Sequence, residues 1–341
     1  MVTDLYTSPK EVKRAITQRI RGALTMMGSL TKAELCQRLG ISFPTISKFL
    51  HQMEVDGEIF YKGDDDSSGG RRAKRYAYNP EYMSGLALFV EKTEINYAVF
   101  NSFGEIKEQG TTPNVLQHNV QLLENHVELL IEKYPRIRSI AIGMPGAVKN
   151  GRVIFSPPYE QYLNYNFQER FESKFQIPVV VENDMNASVL GYASNFELEE
   201  ESLVYLYFSP YGPGSGMMIN GDVVRGSTFF TGEISFVPLY DDRSFLEALH
   251  QGESNQRMDF ESAGKIDAIA RLIATYAAIL NPRAIVFGND EIDEALLSSI
   301  RNKSSNYIPQ DHLPLLVTSN LKQDYLSGLQ YLSRNLMIMD Y

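Results

Sequence analysis

The stretch LTKAELCQRLGISFPTISKFLHQMEVDGEIF, residues 30–60, constrains the fold more tightly than any other part of the chain. Thr31 followed by Glu34 is a capping-box pattern. The threonine hydroxyl takes a free amide of the first helical turn, and the glutamate reaches back to the Thr31 amide. Leu35 and Leu39 supply the inner face of that helix, and Gly40 suits the left-handed residue that ends it. Ser42 can cap a second helix, Pro44 is tolerated in its first turn, and Ile46, Leu50 and Met53 face inward. Upstream, Ile16, Ile20, Leu24 and Met27 form one apolar stripe of a preceding helix. Two short helices joined at a glycine can be plain packing, but they also outline a DNA-reading head.

In such a head Thr45, Ser47, Lys48 and His51, with Ser42 at the cap, are the side chains presented to base edges and phosphates. The following residues extend that reading. Gly57 closes the helix, 58–62 can form a short strand, and the loop DDDSSGG leads to Arg71, Arg72, Lys74 and Arg75 before a returning strand at 76–78. A glycine-rich tip with four basic residues is a wing able to follow a groove and neutralise phosphates. Asp64–Asp66 would repel DNA at the contact and fit a solvated linker better.

Charge is divided in the same sense. Residues 1–80 carry 13 Lys/Arg against 9 Asp/Glu, and the remainder carries 19 against 33. A basic head on an acidic body can still bind DNA, because attraction depends on where the cations are concentrated. The length of 341 residues exceeds what one core supports, so two or three domains are expected. Cys36 is the only cysteine, which excludes an internal disulfide and a thiolate cluster. No apolar run reaches membrane-spanning length and no signal-peptide pattern opens the chain, so a cytoplasmic location is expected.

From Gly85 the pattern GLALFVEKTEINYAVFNSFGEI predicts two or three antiparallel strands with turns near 91–93 and 102–104. A helix over about 116–132 follows, with Val120, Leu123, Val127 and Leu130 inward. Next come a buried strand at 137–142 ending in Gly143–Met144–Pro145–Gly146, a helix at 167–175 and a strand at 178–181. Alternating strands and helices indicate an α/β sheet whose ligands gather beyond the strand ends. Glu182, Asn183 and Asp184 should therefore emerge at the rim, where Asn183 can donate and accept and Asp184 can accept from a hydroxyl or remove its proton. Gly232–Glu233 offers a second carboxylate uncrowded by its neighbour. The structural alternatives are that END caps a helix and that GE is a simple turn.

These pieces resemble the ROK family (repressor, open reading frame, kinase), and in particular its repressor branch. The resemblance runs from about residue 12 to 340 and rests on IGMPGAV at 142–148, PVVVENDMNA at 178–187, the glycine-rich run at 212–221, TGEI at 231–234 and the wing GGRRAKRYAYNP at 69–80. It implies a winged helix-turn-helix at 10–80 followed by a two-lobed actin-like (ribonuclease H-like) α/β sugar kinase fold. The lobes are expected at 81–203 and 204–341, with a final helix at about 322–337 crossing back to the first lobe. A helix at about 262–280, with Ile266, Ile269, Ile273 and Ala277 inward, and the segment NPRAIVFGND complete the second lobe. The resemblance also implies that Asp184 is the kinase base, that Asn183 and Glu233 bind sugar, and that Gly146 lines the same cleft.

Departures from the family pattern bear on function. The first strand lacks the Asp-x-Gly-Gly-Thr phosphate loop, and Pro210 and Pro213 interrupt the second loop, SPYGPGSG. Phosphoryl transfer depends on metal and donors arranged around the phosphates, so an inactive kinase fold with no cofactor is expected. The zinc site is missing too, since Phe236 stands at the usual histidine position and 237–257 contains no cysteine, so no metal is expected. The histidine position also touches the sugar, so Phe236 is counted among the ligand-binding residues, and the expected sugar-binding asparagine falls near Pro158. The expected function is a sugar-responsive DNA-binding regulator, a repressor of carbohydrate-use genes, working as a homodimer or higher oligomer on double-stranded operator DNA with no membrane partner. The alternatives are an active sugar kinase with a fused DNA-binding head and a ligand-independent architectural protein.

Overall fold

A computed structural model describes residues 8–65, 72–91, 93–113, 116, 119–209, 212–250, 260–289 and 292–340. The head begins with α1 (Pro9–Met27), capped by Ser8 and Glu11. Next come β1 (Leu30–Thr31), α2 (Lys32–Leu39) and α3 (Phe43–Val55), then the wing strands β2 (Ile59–Asp64) and β3 (Lys74–Tyr78). Thr31 and Glu34 form the expected capping box, and Gly40 ends α2 at φ 65°. The eight residues of α2 are too few to hold a helix by propensity, so packing must do it. Ile20, Leu24, Leu35, Ile46 and Leu50 are fully buried together, each worth about 1.5–3 kcal/mol relative to exposure.

Three expectations change in the head. Met27 is 48% exposed because α1 leaves the core with its last turn. The residues before α2 form an unforeseen strand, with Leu30 opposite Tyr76 and Thr31 opposite Arg75, so the wing is a three-stranded sheet. Glu58, expected in a wing strand, is buried just before it and pairs with the buried Arg21 guanidinium. Losing either partner would strand a buried charge.

The first lobe is a mixed sheet in the order β10-β7-β4-β5-β6. Its strands are β4 (Ser84–Val90), β5 (Glu94–Asn101), β6 (Ile106–Pro113), β7 (Ile137–Met144) and β10 (Val179–Asn183). β4 pairs antiparallel with β5 and parallel with β7. Every residue of β4 is buried, as a central strand covered on both faces must be. Leu86, Leu88 and Val90 point toward α4 (Val120–Lys133) and α5 (Phe167–Phe175), while Ala87 and Phe89 point to the opposite core. α4 starts at Val120 instead of 116, where Asn119 supplies the cap, and Val120 itself is only half-buried. The hairpin β8 (Ala147–Lys149) and β9 (Arg152–Phe155) hangs beyond β7.

α6 (Asp184–Asn195) leads to the second lobe, a sheet in the order β13-β12-β11-β14-β15. These strands are β11 (Leu203–Ser209), β12 (Gly212–Ile219), β13 (Asp222–Val223), β14 (Ala284–Phe287) and β15 (Leu315–Thr318). α7 (Phe245–Leu249), α8 (Ala263–Ile279) and α9 (Glu294–Ser304) complete it. A division between 203 and 204 would cut β11 after its first residue, and the sheets part instead within 184–202. In α8, Ile269, Ile273 and Ala277 are buried, but Ile266 is half-exposed.

α10 (Leu321–Asp340) leaves the second lobe and packs on α6, β4, β7 and β10 of the first, and also touches α1. One continuous apolar core therefore contains Ile20, Leu24 and Met53 of the head, Phe89 and Phe100 of the first lobe, and Tyr325, Leu329 and Met337 of α10. Head and body share a core. No helix among the described residues is long and apolar enough to cross a membrane.

Candidate functional site

α3 presents its outer face as the sequence predicts. Ser42, Lys48 and His51 are exposed, and Thr45 and Ser47 are half-exposed. Ser42 does not cap the helix through its side chain. Its hydroxyl lies 2.8 Å from the Thr45 hydroxyl, so the two fix each other. Phe43, which periodicity did not single out, is 56% exposed beside them in the first helical turn. A phenyl ring there can contact a thymine methyl.

On the wing, Arg72 and Lys74 are exposed, and the Lys74 ammonium stacks 5.5 Å from the ring centroid of Tyr61. Arg71 lies outside the described residues. Arg75 turns inward, against expectation. It donates to Asp65 (2.5 Å), Glu34 (2.8 Å) and the Ser29 carbonyl (3.0 Å), tying the wing to the start of α2. Asp65, one of the acids expected to repel DNA, is thereby occupied. Arg75 is thus engaged by three acceptors of the head itself, although part of its side chain stays exposed.

The second site lies between the lobes. β7 and β10 are parallel neighbours with Asn183 opposite Met144, so Gly146 and Asp184 arrive side by side beyond the strand ends. Gly146 has φ 90°, and a Cβ there would lie 2.2 Å from the Phe155 carbonyl oxygen, so only glycine fits. From the other lobe, Gly232 at φ 100° packs against the Ser215 carbonyl and delivers Glu233. Asp184, Glu233, Gly146, Asn183 and Phe236 all line one cleft of about 330 Å³.

Their roles differ from the simplest expectation. Asn183 accepts from the Asn186 amide as the cap of α6, and its Nδ2 donates to the Gly146 carbonyl (2.8 Å) and to Asp184 (2.9 Å). Both ends of its amide are engaged, so Asn183 acts first as the clamp that sets Asp184 against Gly146. Glu182, expected at the rim, is buried and paired with Arg225 of the second lobe at 2.5 Å, and it accepts from Asn186 at 3.0 Å. It bridges the lobes and is not a ligand group.

Asp184 accepts from the Met185 amide and from Asn183 through one oxygen, which leaves carboxylate lone pairs for a ligand hydroxyl. Burial outweighs those bonds and pushes its pKa up to about 7. Burial, helped by the neighbouring Asp184, likewise raises Glu233 to about 7. Two carboxyls poised near neutrality in one cleft can exchange protons with, or accept hydrogen bonds from, a polyhydroxylated ligand.

Sequence reasoning missed Glu91, Phe155 and Tyr325, which also line the cleft. Tyr325 is reached only through the crossing of α10, 141 residues from Asp184 in the chain, so no local pattern could indicate it. Its hydroxyl is buried without a hydrogen-bond partner among the described residues.

The segment that holds zinc in the resemblance carries no cysteine here, and no group of three His, Cys, Asp or Glu converges among the described residues. The segment is held by aromatic and ionic contacts instead. Tyr240 donates to Asp267 (2.8 Å), and its ring lies between the guanidinium groups of Arg243 (4.6 Å) and Arg271 (4.9 Å).

Residues 87–244 match the model of the ROK family. The xylose repressor of Bacillus spizizenii is 24% identical over 337 residues, covering 82% of this chain and 84% of the repressor. A solved ROK family transcriptional regulator, homologous to the E. coli MLC protein, superposes with a TM-score of 0.73 at 18% identity, covering 96% of this chain and 98% of its own. A ROK family glucokinase from Streptomyces griseus, solved with glucose and AMPPNP, gives a TM-score of 0.56 at 17% identity over 74% of this chain and 99% of its own. Residues 87–244 thus carry the ROK family pattern, and nearly the whole chain is similar to ROK family regulators in sequence and fold.

Proposed function

We propose that this protein is a sugar-responsive DNA-binding transcriptional regulator, a repressor of carbohydrate-use genes that binds operator DNA as a homodimer. The observation that carries the reading is the shared core. α10 lines the cleft through Leu321 and Tyr325, and farther along it packs against α1 of the head. A ligand that prefers one lobe arrangement therefore has a solid route to the DNA-reading helices. It can change operator affinity only by the free energy with which it discriminates between the two arrangements. Paired heads on a two-fold dimer suit the half-site spacing that such helices read.

The body is not a working kinase in this reading. Where a phosphate loop would stand, the turn after β4 carries Glu91 and β5 opens with Glu94, and both pair with Lys322 of α10, at 3.3 and 2.9 Å. This turn has no glycine to cradle a triphosphate, and its two glutamates are paired with Lys322, while Lys92 lies outside the described residues. In the second loop Pro213 has no amide hydrogen, and the Ser215 amide is committed to the Gly232 carbonyl at 3.0 Å.

Fluorescence anisotropy with the protein's own promoter DNA tests the reading. Tight binding that weakens steeply with salt and survives competition by unrelated DNA is expected. Absence of any sequence preference at moderate salt would remove it. An active sugar kinase is the second reading, favoured by the Asp184 carboxyl near pH 7, which suits a general base. ATP-dependent ADP release over a sugar panel, lost in Asp184→Asn, would establish that alternative.

A further inference from the structure

Two of the polar sugar contacts that the family resemblance leads one to expect are absent, and their places fall on the same wall of the cleft. Phe236 stands for the histidine and Pro158 for the asparagine, and Phe155 and Pro157 line the cleft beside them. Phe230 does not itself line the cleft but packs against the rings of Phe155 and Phe236. The ring centroids of Phe155 and Phe230 are 5.5 Å apart, those of Phe230 and Phe236 5.5 Å, and those of Phe155 and Phe236 6.1 Å.

Phe155 belongs to the first lobe and the other two to the second, so the cluster spans the mouth of the cleft. Phe236 is 60% exposed and Phe230 40% exposed, an unfavourable placement for three mutually touching phenyl groups on a protein surface. The backbone is strained to achieve it. Phe229, next to Phe230, sits at φ 61°, a left-handed conformation that bulky L residues avoid.

Polar groups of Asp184, Glu233, Thr231 and Ser235 line the same cleft. The cleft volume of about 330 Å³ lies at the lower end of the range of small-molecule pockets. The apolar face of a single sugar ring is covered by one aromatic side chain. Phe155 and Phe236, with Pro157 and Pro158 beside them and Phe230 packed on both rings, offer apolar area suited to a larger group continuous with the sugar hydroxyls.

We propose that the effector is a glycoside: its sugar hydroxyls bond Asp184 and Glu233, and its flat apolar aglycone lies against Phe155 and Phe236. This rests on the sugar-cleft reading above and narrows it from carbohydrates in general to those carrying an aryl-like substituent. Binding brings the aglycone against rings from both lobes, so it favours the closed arrangement that α10 reports to the head.

Isothermal titration of the full chain with paired methyl and phenyl pyranosides of glucose, xylose and N-acetylglucosamine tests the proposal. For the sugar that binds, the phenyl form should bind about tenfold tighter or more than the methyl form. Phe155→Ala and Phe236→Ala should each bring that ratio close to one, while Phe236→Tyr, which keeps a ring, should retain it. Phe236 is exposed enough for its alanine variant to fold, and thermal melts check both variants. Equal binding of methyl and phenyl forms, or a ratio that survives both alanine variants, would overturn the aglycone inference and leave the sugar cleft standing. Binding of neither series would overturn both.

Discussion

Gly191 of α6 and Gly328 of α10 face one another where the two helices cross. A Cβ at Gly191 would lie 1.8 Å from the Asp324 carbonyl oxygen, and one at Gly328 would lie 1.8 Å from that of Ala187. The helices meet backbone to backbone, and they are the two that matter most: α6 begins with Asp184, and α10 reaches the head. A buried polar set fixes the same crossing, with Tyr205 donating to Asp324 at 2.9 Å and Asn195 at 3.0 Å.

Gly328→Ala is accordingly expected to force the helices apart. Overpacking of this kind costs about 1–3 kcal/mol, measurable by urea denaturation. A variant that folds should also respond more weakly to ligand, because Asp184 and the head no longer share a rigid contact. Unchanged stability would mean that the crossing is looser than described.

The basic residues of the head separate into two groups by experiment. Lys48→Ala should weaken binding to all DNA sequences and reduce the salt slope by about one, as loss of a phosphate contact does. Arg75→Ala should leave the salt slope alone and lower the stability of the head by about 1–2 kcal/mol, through lost hydrogen bonds to Asp65, Glu34 and Ser29. Reversal of these two outcomes would contradict the inward orientation of Arg75.

The head and the order of the lobes could be read from the sequence because their signals are local. The Thr31–Glu34 box, Gly40 and the stripe Ile46, Leu50, Met53 are set within one or two helical turns. The cleft was half readable. Asp184, Glu233 and Gly146 follow from strand ends and glycines, but the division of labour around them does not. Glu182 differs from Asp184 by two positions, yet Arg225 from a distant strand end takes it out of the site. Asn183 looks like a ligand group until its cap bond to Asn186 and its bond to Gly146 are seen. Arg75 and Met27 were misplaced for the same reason, since tertiary partners and the end of a core decide which face of an element is wet.

The two raised carboxyls set a pH dependence with a definite sign. Folded Asp184 and Glu233 titrate near pH 7, whereas in the unfolded chain such groups ionise at about 4. Between those values the folded protein holds more protons, so their contribution is fully present below about pH 4 and is lost as pH rises through 7. Ligand-free Glu233→Gln should therefore melt near the wild type at pH 5 and above it at pH 8. Sugar affinity should run the other way, rising from pH 6 to pH 8 as both groups become full acceptors. A flat profile across that range would contradict the assignment.

Tyr325 offers a test in which removal of an atom helps. Its ring packs on Phe89 at 4.9 Å, and its hydroxyl has no hydrogen-bond partner among the described residues. Tyr325→Phe keeps the packing and removes an orphaned polar group, so the ligand-free protein should gain about 1 kcal/mol, seen as a higher Tm. A lower Tm would reveal a bond that this arrangement does not contain.

The central claim is that the cleft and the DNA-reading head are one thermodynamic unit. Operator affinity measured by anisotropy, with and without the carbohydrate that most raises the Tm, tests it most directly. The account predicts a change in Kd of at least about fivefold at saturating carbohydrate, within the usual range of coupling between sites. An operator Kd unmoved by a carbohydrate shown to occupy the cleft would contradict it.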